Sequence, residues 1–395
     1  MTSPHATPST ARPLLIAGVC LAWLLCAFAP LLKYLSQLEA IAAMAIGVLG
    51  IALGMSWLQR LNRTPRQIHL AWFLLLFALF TTAFAIFHPL SLTHPAGRSS
   101  DREDALQIEL TAVTHHQYPY DFRTFLGNKP TPLPGALWLA FPFFALGHVA
   151  WQNLFWLALF FLFATRFFRY RATALLLLAI FLLLSPANIN DFVSGGDYLT
   201  NFFYIAIALG LFIRSLDRPL TLCIPAALFL GLTLSSRIVF GVILIPLLAL
   251  TLQRTSRART LLLFAAALAT AAVVTLPVFT PHPLHHLLEQ LHQGSDKLKF
   301  IPGSLHPQQT LPLLAAGISC VWFFVRMDLP RLFLAFSISS FVMLAPFVVT
   351  VAAHTGNPSS FSYLALSTLS FALWALSQYE ISTVETSKPA TLVDL

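Results

Sequence analysis

IHLAWFLLLFALFTTAFAIF, Ile68 to Phe87, is a run of 20 residues without one Asp, Glu, Lys or Arg, and it decides the fold class. A helix rises about 1.5 Å per residue, so such a run is about 30 Å long, the thickness of the hydrocarbon core of a bilayer. A little further on stand Asp101, Arg102, Glu103 and Asp104, four charges together in a chain of which only 10% of residues are charged. A carboxylate moved toward hydrocarbon loses its solvation, so an acidic group near a membrane boundary must be hydrated, paired or put to use.

Outward from this stretch the pattern repeats. Apolar runs occupy 13–32, 38–57, 68–88, 151–167, 172–188, 198–214, 219–235, 238–253, 260–279, 310–326, 331–352 and 361–379, which predicts an all-α, polytopic helical bundle of about twelve spans. Hydrophobic residues make up 57% of the chain, Phe alone contributes 35, and the mean hydropathy is +0.76, values that exclude a soluble domain with a single core. The formal charge of +8 does not indicate a nucleic-acid partner, because Lys and Arg fall in small groups between the apolar runs, as topology signals do. Cys20, Cys26, Cys223 and Cys320 lie inside apolar runs without paired spacing, so they offer neither a disulfide framework nor a zinc site. Ala27-Phe28-Ala29 resembles a cleavage site, but Pro30 follows it, so the first span is expected to stay uncleaved.

Charge sets the expected orientation. The run Pro134 to Leu146 is short and contains Pro142, and if it crossed, Arg166, Arg169 and Arg171 would move to the far side from the early basic loops. Laid instead in the outer interface, it leaves both termini cytoplasmic and puts 15 of the 23 Lys and Arg residues inside, while ten of the 15 Asp and Glu residues fall outside. The outer face thereby holds the acids and most histidines. Its two long connections are 89–150 and 280–309, and connections of that length are usually functional or disordered. The chain divides into an N-terminal hairpin (1–67), a central segment (68–215) with outer loops 89–150 and 189–197, and C-terminal helices (216–395). Within the first long loop, Asp101 to Val113 reads as an amphipathic helix capped by Ser99 or Ser100.

That loop contains Ser100-Asp101-Arg102-Glu103-Asp104, then Tyr118-Pro119-Tyr120-Asp121, then Gly127-Asn128-Lys129-Pro130-Thr131-Pro132-Leu133-Pro134-Gly135. This order resembles the GT-C superfamily of membrane glycosyltransferases, in which an acidic residue follows an early span, an amphipathic helix ends near a Pro-Tyr element and a Pro-Pro-Leu-like stretch opens a second interfacial helix. Ser185-Pro186 and the Asp191 to Asp197 loop extend the resemblance over roughly residues 68–215. Two spans precede the helix before Asp101 where many members have one, and Pro132-Leu133-Pro134 stands where a Pro-Pro pair is usual. The resemblance implies transfer of a sugar from a polyprenol-phosphate donor to a lipid or glycan acceptor outside the cytoplasmic membrane, with Asp101 as the base.

Glycosyl transfer needs a base in line with the acceptor hydroxyl, opposite the leaving phosphate, and positive charge where the phosphate departs. Asp101 or Asp104 can supply the first; being three apart on a helix they share a face and would repel unless Arg102 or a divalent metal intervenes. The alternative is that these acids, with Glu103, only cap the helix. Arg237, in a nearly absent connection between two runs, is the candidate for holding the phosphate, against simple snorkelling to lipid headgroups. Lys129, Lys297 and Lys299 are further cations, and Asp197 is a candidate second acid or a helix cap. His116, Tyr118 and Tyr120 could touch a sugar, or serve as a turn and an interfacial aromatic belt. His282, His285, His286 and His292 carry no recognisable metal signature. A transporter or flippase of a lipid-linked glycan and a non-catalytic subunit of an assembly complex remain alternatives; no Walker, Rossmann or nucleophile-elbow motif is present.

Overall fold

The computed structural model of the chain describes residues 11–62, 68–93, 100–183, 185–280, 286, 288–290, 298–356 and 358–385. Among them the secondary structure is entirely helical. The helices are α1 (Ala11–Tyr34), α2 (Gln37–Asn62), α3 (Leu70–Ser91), α4 (Arg102–Thr114), α5 (Pro134–Ala145), α6 (Trp151–Phe167), α7 (Arg171–Leu177), α8 (Pro186–Val193), α9 (Tyr198–Ser215), α10 (Leu220–Leu234), α11 (Leu244–Arg254), α12 (Arg257–Phe279), α13 (Pro307–Cys320), α14 (Leu329–Thr355) and α15 (Ala365–Glu385).

Helix α3, grown from the opening stretch, shows what kind of bundle this is. It buries one stripe, Phe73, Leu76, Phe80 and Phe84, at helical spacing, with Phe80 and Phe84 set edge-on to Phe192. Its other faces are just as apolar: Leu70, Trp72, Leu74, Leu75, Leu79, Ile86 and Phe87 are all exposed. Leaving a side chain of that size in water forgoes about 1.5–3 kcal/mol, so a helix that is apolar all round is suited to a lipid environment. Seven helical segments among the described residues are long and apolar enough to cross a membrane, and α7 with α8 forms an eighth if the 73° bend between them lies within one span. The remaining apolar runs also form helices, but α6, α10, the segment from Ile238 to Arg254, and α13 are shorter. Helix α5 has 12 residues, about 18 Å, too short to cross alone.

Helix α9 is the axis. The share of its length buried within the protein is 78%, against 11% for α12 and 17% for α2. The largest buried cluster runs from Val19 to Tyr379 and draws on all three segments of the sequence, so they share one core. With 18 residues α9 is about 27 Å long and separates two ends of the bundle. At its Ser215 end the basic connections meet: Arg214 donates to the Arg166 carbonyl, Arg259 to the Arg218 carbonyl, and Glu380 accepts the backbone N–H groups of Arg169 and Tyr170. At its Asp197 end lie α4, α5 and the described parts of both long connections, tied by Tyr118 Oη donating to the His286 carbonyl at 3.2 Å and Gln290 Nε2 to the Pro130 carbonyl at 3.3 Å. The described parts of the two long loops, expected to share one face, therefore do so, and the Arg groups around 166–171, 214–218 and 259 lie at the other end.

Candidate functional site

Helix α4 begins one residue later than the expected cap. Asp101 occupies the cap position, but its side chain makes no capping bond. Oδ2 instead accepts Thr124 Oγ1 at 2.6 Å and Asn128 Nδ2 at 2.7 Å. Asp104, one turn on and on the same face, accepts the Phe125 N–H at 2.8 Å. The anticipated repulsion between the two acids is relieved by sharing a single loop, 124–128, whose donors they divide. Asp101 keeps Oδ1 without a donor among the described residues and lines the main cavity; Asp104 does not reach it.

Arg102 and Glu103 bond to groups outside the 124–128 loop. Arg102 pairs with Asp191, and its guanidinium lies 5.1 Å from the ring centre of Tyr198 and 5.6 Å from that of Tyr363. Burial works to lower the Arg102 pKa, but the Asp191 carboxylate prevails and the group stays charged. Asp191 also accepts the Leu199 N–H at 2.8 Å, so this carboxylate caps α9 while it neutralises α4. Glu103 meets His88 Nε2 at 2.8 Å, with His88 stacked on Phe84. Gly195 takes a positive φ of 69°, and a Cβ there would collide with the Glu103 carboxylate, so this turn needs glycine on both counts.

The Pro132-Leu133-Pro134-Gly135 stretch is stitched to the connection after α10. Leu133 N–H donates to the Ser236 carbonyl at 3.0 Å and Gly135 N–H to the Ser235 carbonyl at 3.2 Å. A Cβ on Gly135 would run into the Leu232 carbonyl and Ser235 Oγ, so the close approach requires glycine. The seam sets Arg237 beside Thr131, to whose Oγ1 it donates at 2.8 Å, and against Asp197. Asp197 stands at the cap of α9 without capping it; Asn201 also donates to it, at 3.2 Å.

These pieces surround a cavity of about 1150 Å³. Its wall mixes polar residues, Asp101, Arg123, Asn128, Lys129, Asp197, Arg237, Gln290 and Lys299 among them, with apolar ones, among them Val239, Val242, Ile245 and, from α13 and α14, Leu311, Met343, Leu344 and Phe347. Asp197 Oδ1, Arg237 Nε and Gln290 Oε1, on residues that line the cavity, are buried and have no hydrogen-bond partner among the described residues. Among the described residues no group of three or more His, Cys, Asp or Glu could hold a metal ion.

Of the residues singled out from sequence, the structure thus brings Asp101, Arg102, Lys129, Asp197 and Arg237 to one cavity. Asp104 and Glu103 are engaged beside it. Tyr118 and Tyr120 are buried on Phe279, Tyr120 stacked on it at 5.5 Å, and Tyr120 Oη donates to the Pro132 carbonyl at 3.0 Å; they brace the loop and are not the exposed belt that sequence allowed. Burial pushes both phenols up, so they remain O–H donors. His116 is exposed, with a positive φ of 57°, and serves the turn. Lys297, His94, His282, His285, His292 and Asp296 lie outside the described residues.

Sequence reading did not single out Gln290, Asn128 or Thr124. It also passed over Glu109, which is wholly buried, with neither oxygen bonded among the described residues. Burial holds its carboxyl well above the usual range; Arg237 draws it back and Asp197 pushes it up further. The signal was present: Glu109 falls on the same helical face as Ala105, Leu106 and Leu110, all buried. No known protein family, curated protein or solved structure matches this chain.

Proposed function

We propose that the chain is a membrane glycosyltransferase of GT-C-like build that moves a sugar from a polyprenol-phosphate donor to a lipid or glycan hydroxyl. The observation that carries this reading is the mixed lining of the cavity: apolar side chains of the right character for an isoprenoid share it with the cations Arg237, Lys129 and Lys299 and the carboxylates Asp101 and Asp197. A ligand that is greasy at one end and a phosphate-linked sugar at the other matches both kinds of wall. In this reading Asp101 takes the proton of the acceptor hydroxyl as its oxygen bonds to the anomeric carbon. The bond from that carbon to the phosphate oxygen breaks, and its electron pair leaves with the polyprenyl phosphate, which Arg237, Lys129 and Lys299 receive. An in-line attack of this kind inverts the anomeric centre. Asp104 positions the 124–128 loop that carries two donors to Asp101, and Asp197 orients Arg237. No metal is required by this scheme.

In the same proposal about twelve helices cross the cytoplasmic membrane, α4 and α5 lie in its outer interface, both termini are cytoplasmic and the cavity faces outward. The flippase alternative draws on the 73° bend between α7 and α8, since broken helices occur in transporters. Purified protein in vesicles, offered a polyprenol-phosphate sugar, separates the readings. The enzyme transfers sugar and its Asp101→Asn variant does not; flipping without transfer identifies a transporter, and neither activity a non-catalytic subunit.

A further inference from the structure

A second acid lies behind the cavity wall. Glu109 is wholly buried on the inner face of α4, and no hydrogen bond reaches either oxygen among the described residues. The charged groups acting on it come from two other elements, Arg237 from the connection after α10 and Asp197 from the start of α9. Tyr120, from the turn after α4, acts on Glu109, and Tyr204 on α9 acts on both Asp197 and Arg237; from α5, Ala136, Leu137 and Ala140 join the apolar cluster with Leu106 and Leu110 of α4. Among the described residues Arg237 Nε and Asp197 Oδ1 are also buried without a partner, and no hydrogen bond joins Glu109 to either, so Glu109 acts on them through its charge.

The geometry points to Glu109 as a positioning residue for Arg237: protonated, it leaves Arg237 balanced by Asp197 alone, and ionised, it adds a second carboxylate that takes the guanidinium from an anion in the cavity. Counted over Glu109, Asp197 and Arg237, the net charge is zero in the first state and minus one in the second. An anion bound beside Arg237 is therefore admitted while Glu109 is protonated and opposed once it ionises, a direction that agrees with burial raising this carboxyl. The inference deepens the proposed function, since it rests on the cavity taking an anionic head at Arg237.

The test titrates farnesyl phosphate against purified full-length protein in detergent across pH, with Glu109→Gln and the similarly sized Glu109→Met beside the parent. Probe ionisation and lysine titration are common to all three proteins, so the difference between profiles reports Glu109. The expected result is equal affinity at low pH and a tenfold or greater loss in the parent alone on the alkaline limb. Coincident profiles overturn the inference. Infrared spectra read the proton separately: a protonated-carboxyl carbonyl band at neutral pH that is lost in Glu109→Gln supports the neutral acid, and its absence in the parent overturns it. If no protein binds the probe at any pH, the anionic-head reading falls and the inference falls with it as a device for Arg237, while the infrared band still establishes whether Glu109 is neutral.

Discussion

At the scale of single residues, the site sorts acids that look alike in sequence. Asp101, Asp104, Asp191, Asp197 and Glu109 have five different surroundings, and these decide what each can do. Asp101→Asn keeps the size and both neighbours, Thr124 and Asn128, while removing the proposed base, so under the proposed function transfer is expected to fall by roughly 10²–10⁴ with the melting temperature nearly unchanged. Asp104→Asn loosens only the bond to Phe125, and its activity is expected to fall by no more than about tenfold. Glu109 gives a stability signature. Its carboxyl is raised in the folded protein, so its favourable contribution is complete below the ordinary carboxylate pKa and is lost as pH rises to the folded value. Over that window the parent is expected to lose about 1.4 kcal/mol per pH unit relative to Glu109→Gln, and beyond it the gap stays constant. Melting curves of the two proteins at stepped pH check the sign directly.

At the scale of elements, glycines permit the close approaches on which the site depends. Gly135→Ala forces a Cβ into the backbone that carries Ser235 and Arg237. It is expected to cost about 1–3 kcal/mol and to reduce activity by more than the stability loss explains, because Arg237 moves with the seam. Thermal unfolding and turnover measured on the same preparation test this. The elements themselves were largely legible in the sequence: the apolar runs carry helix, although 172–188 divides between α7 and α8 with a 73° bend, Pro134 to Ala145 is too short to cross alone, and α4 began within two residues of its expected cap. The pairings between elements were not. Arg102 meets Asp191 and Arg237 meets Asp197 across 89 and 40 residues, and nothing local in an amphipathic pattern tells one carboxylate from another as the partner. Periodicity reports which face of a helix is buried; it does not report what charge waits on the neighbouring helix. Glu109 was missed for another reason: a glutamate in the middle of an apolar face does announce burial, and that signal was overlooked.

At the scale of the whole molecule, the arrangement has one polar end with a cavity and another where arginine-rich connections gather, joined by helices whose exposed faces are as apolar as their buried ones. An orientation with the arginines in the cytoplasm follows from the positive-inside rule. Single cysteines placed at Lys129 and at Asp217, in a background lacking the four native cysteines, are expected to react with an impermeant maleimide from opposite sides of intact cells: Lys129→Cys from outside, Asp217→Cys only after permeabilisation. The reverse pattern removes the lipid-linked donor on the outer face from the account.

The central claim is that the cavity beside Asp101 carries out sugar transfer. Purified parent and Asp101→Asn proteins, reconstituted with a polyprenol-phosphate sugar and a mixture of envelope lipids and glycans, should differ: the parent releases polyprenyl phosphate with formation of a glycosylated product, and the variant, folded and still binding the donor, forms none above background. Equal product formation by the two proteins would contradict the account.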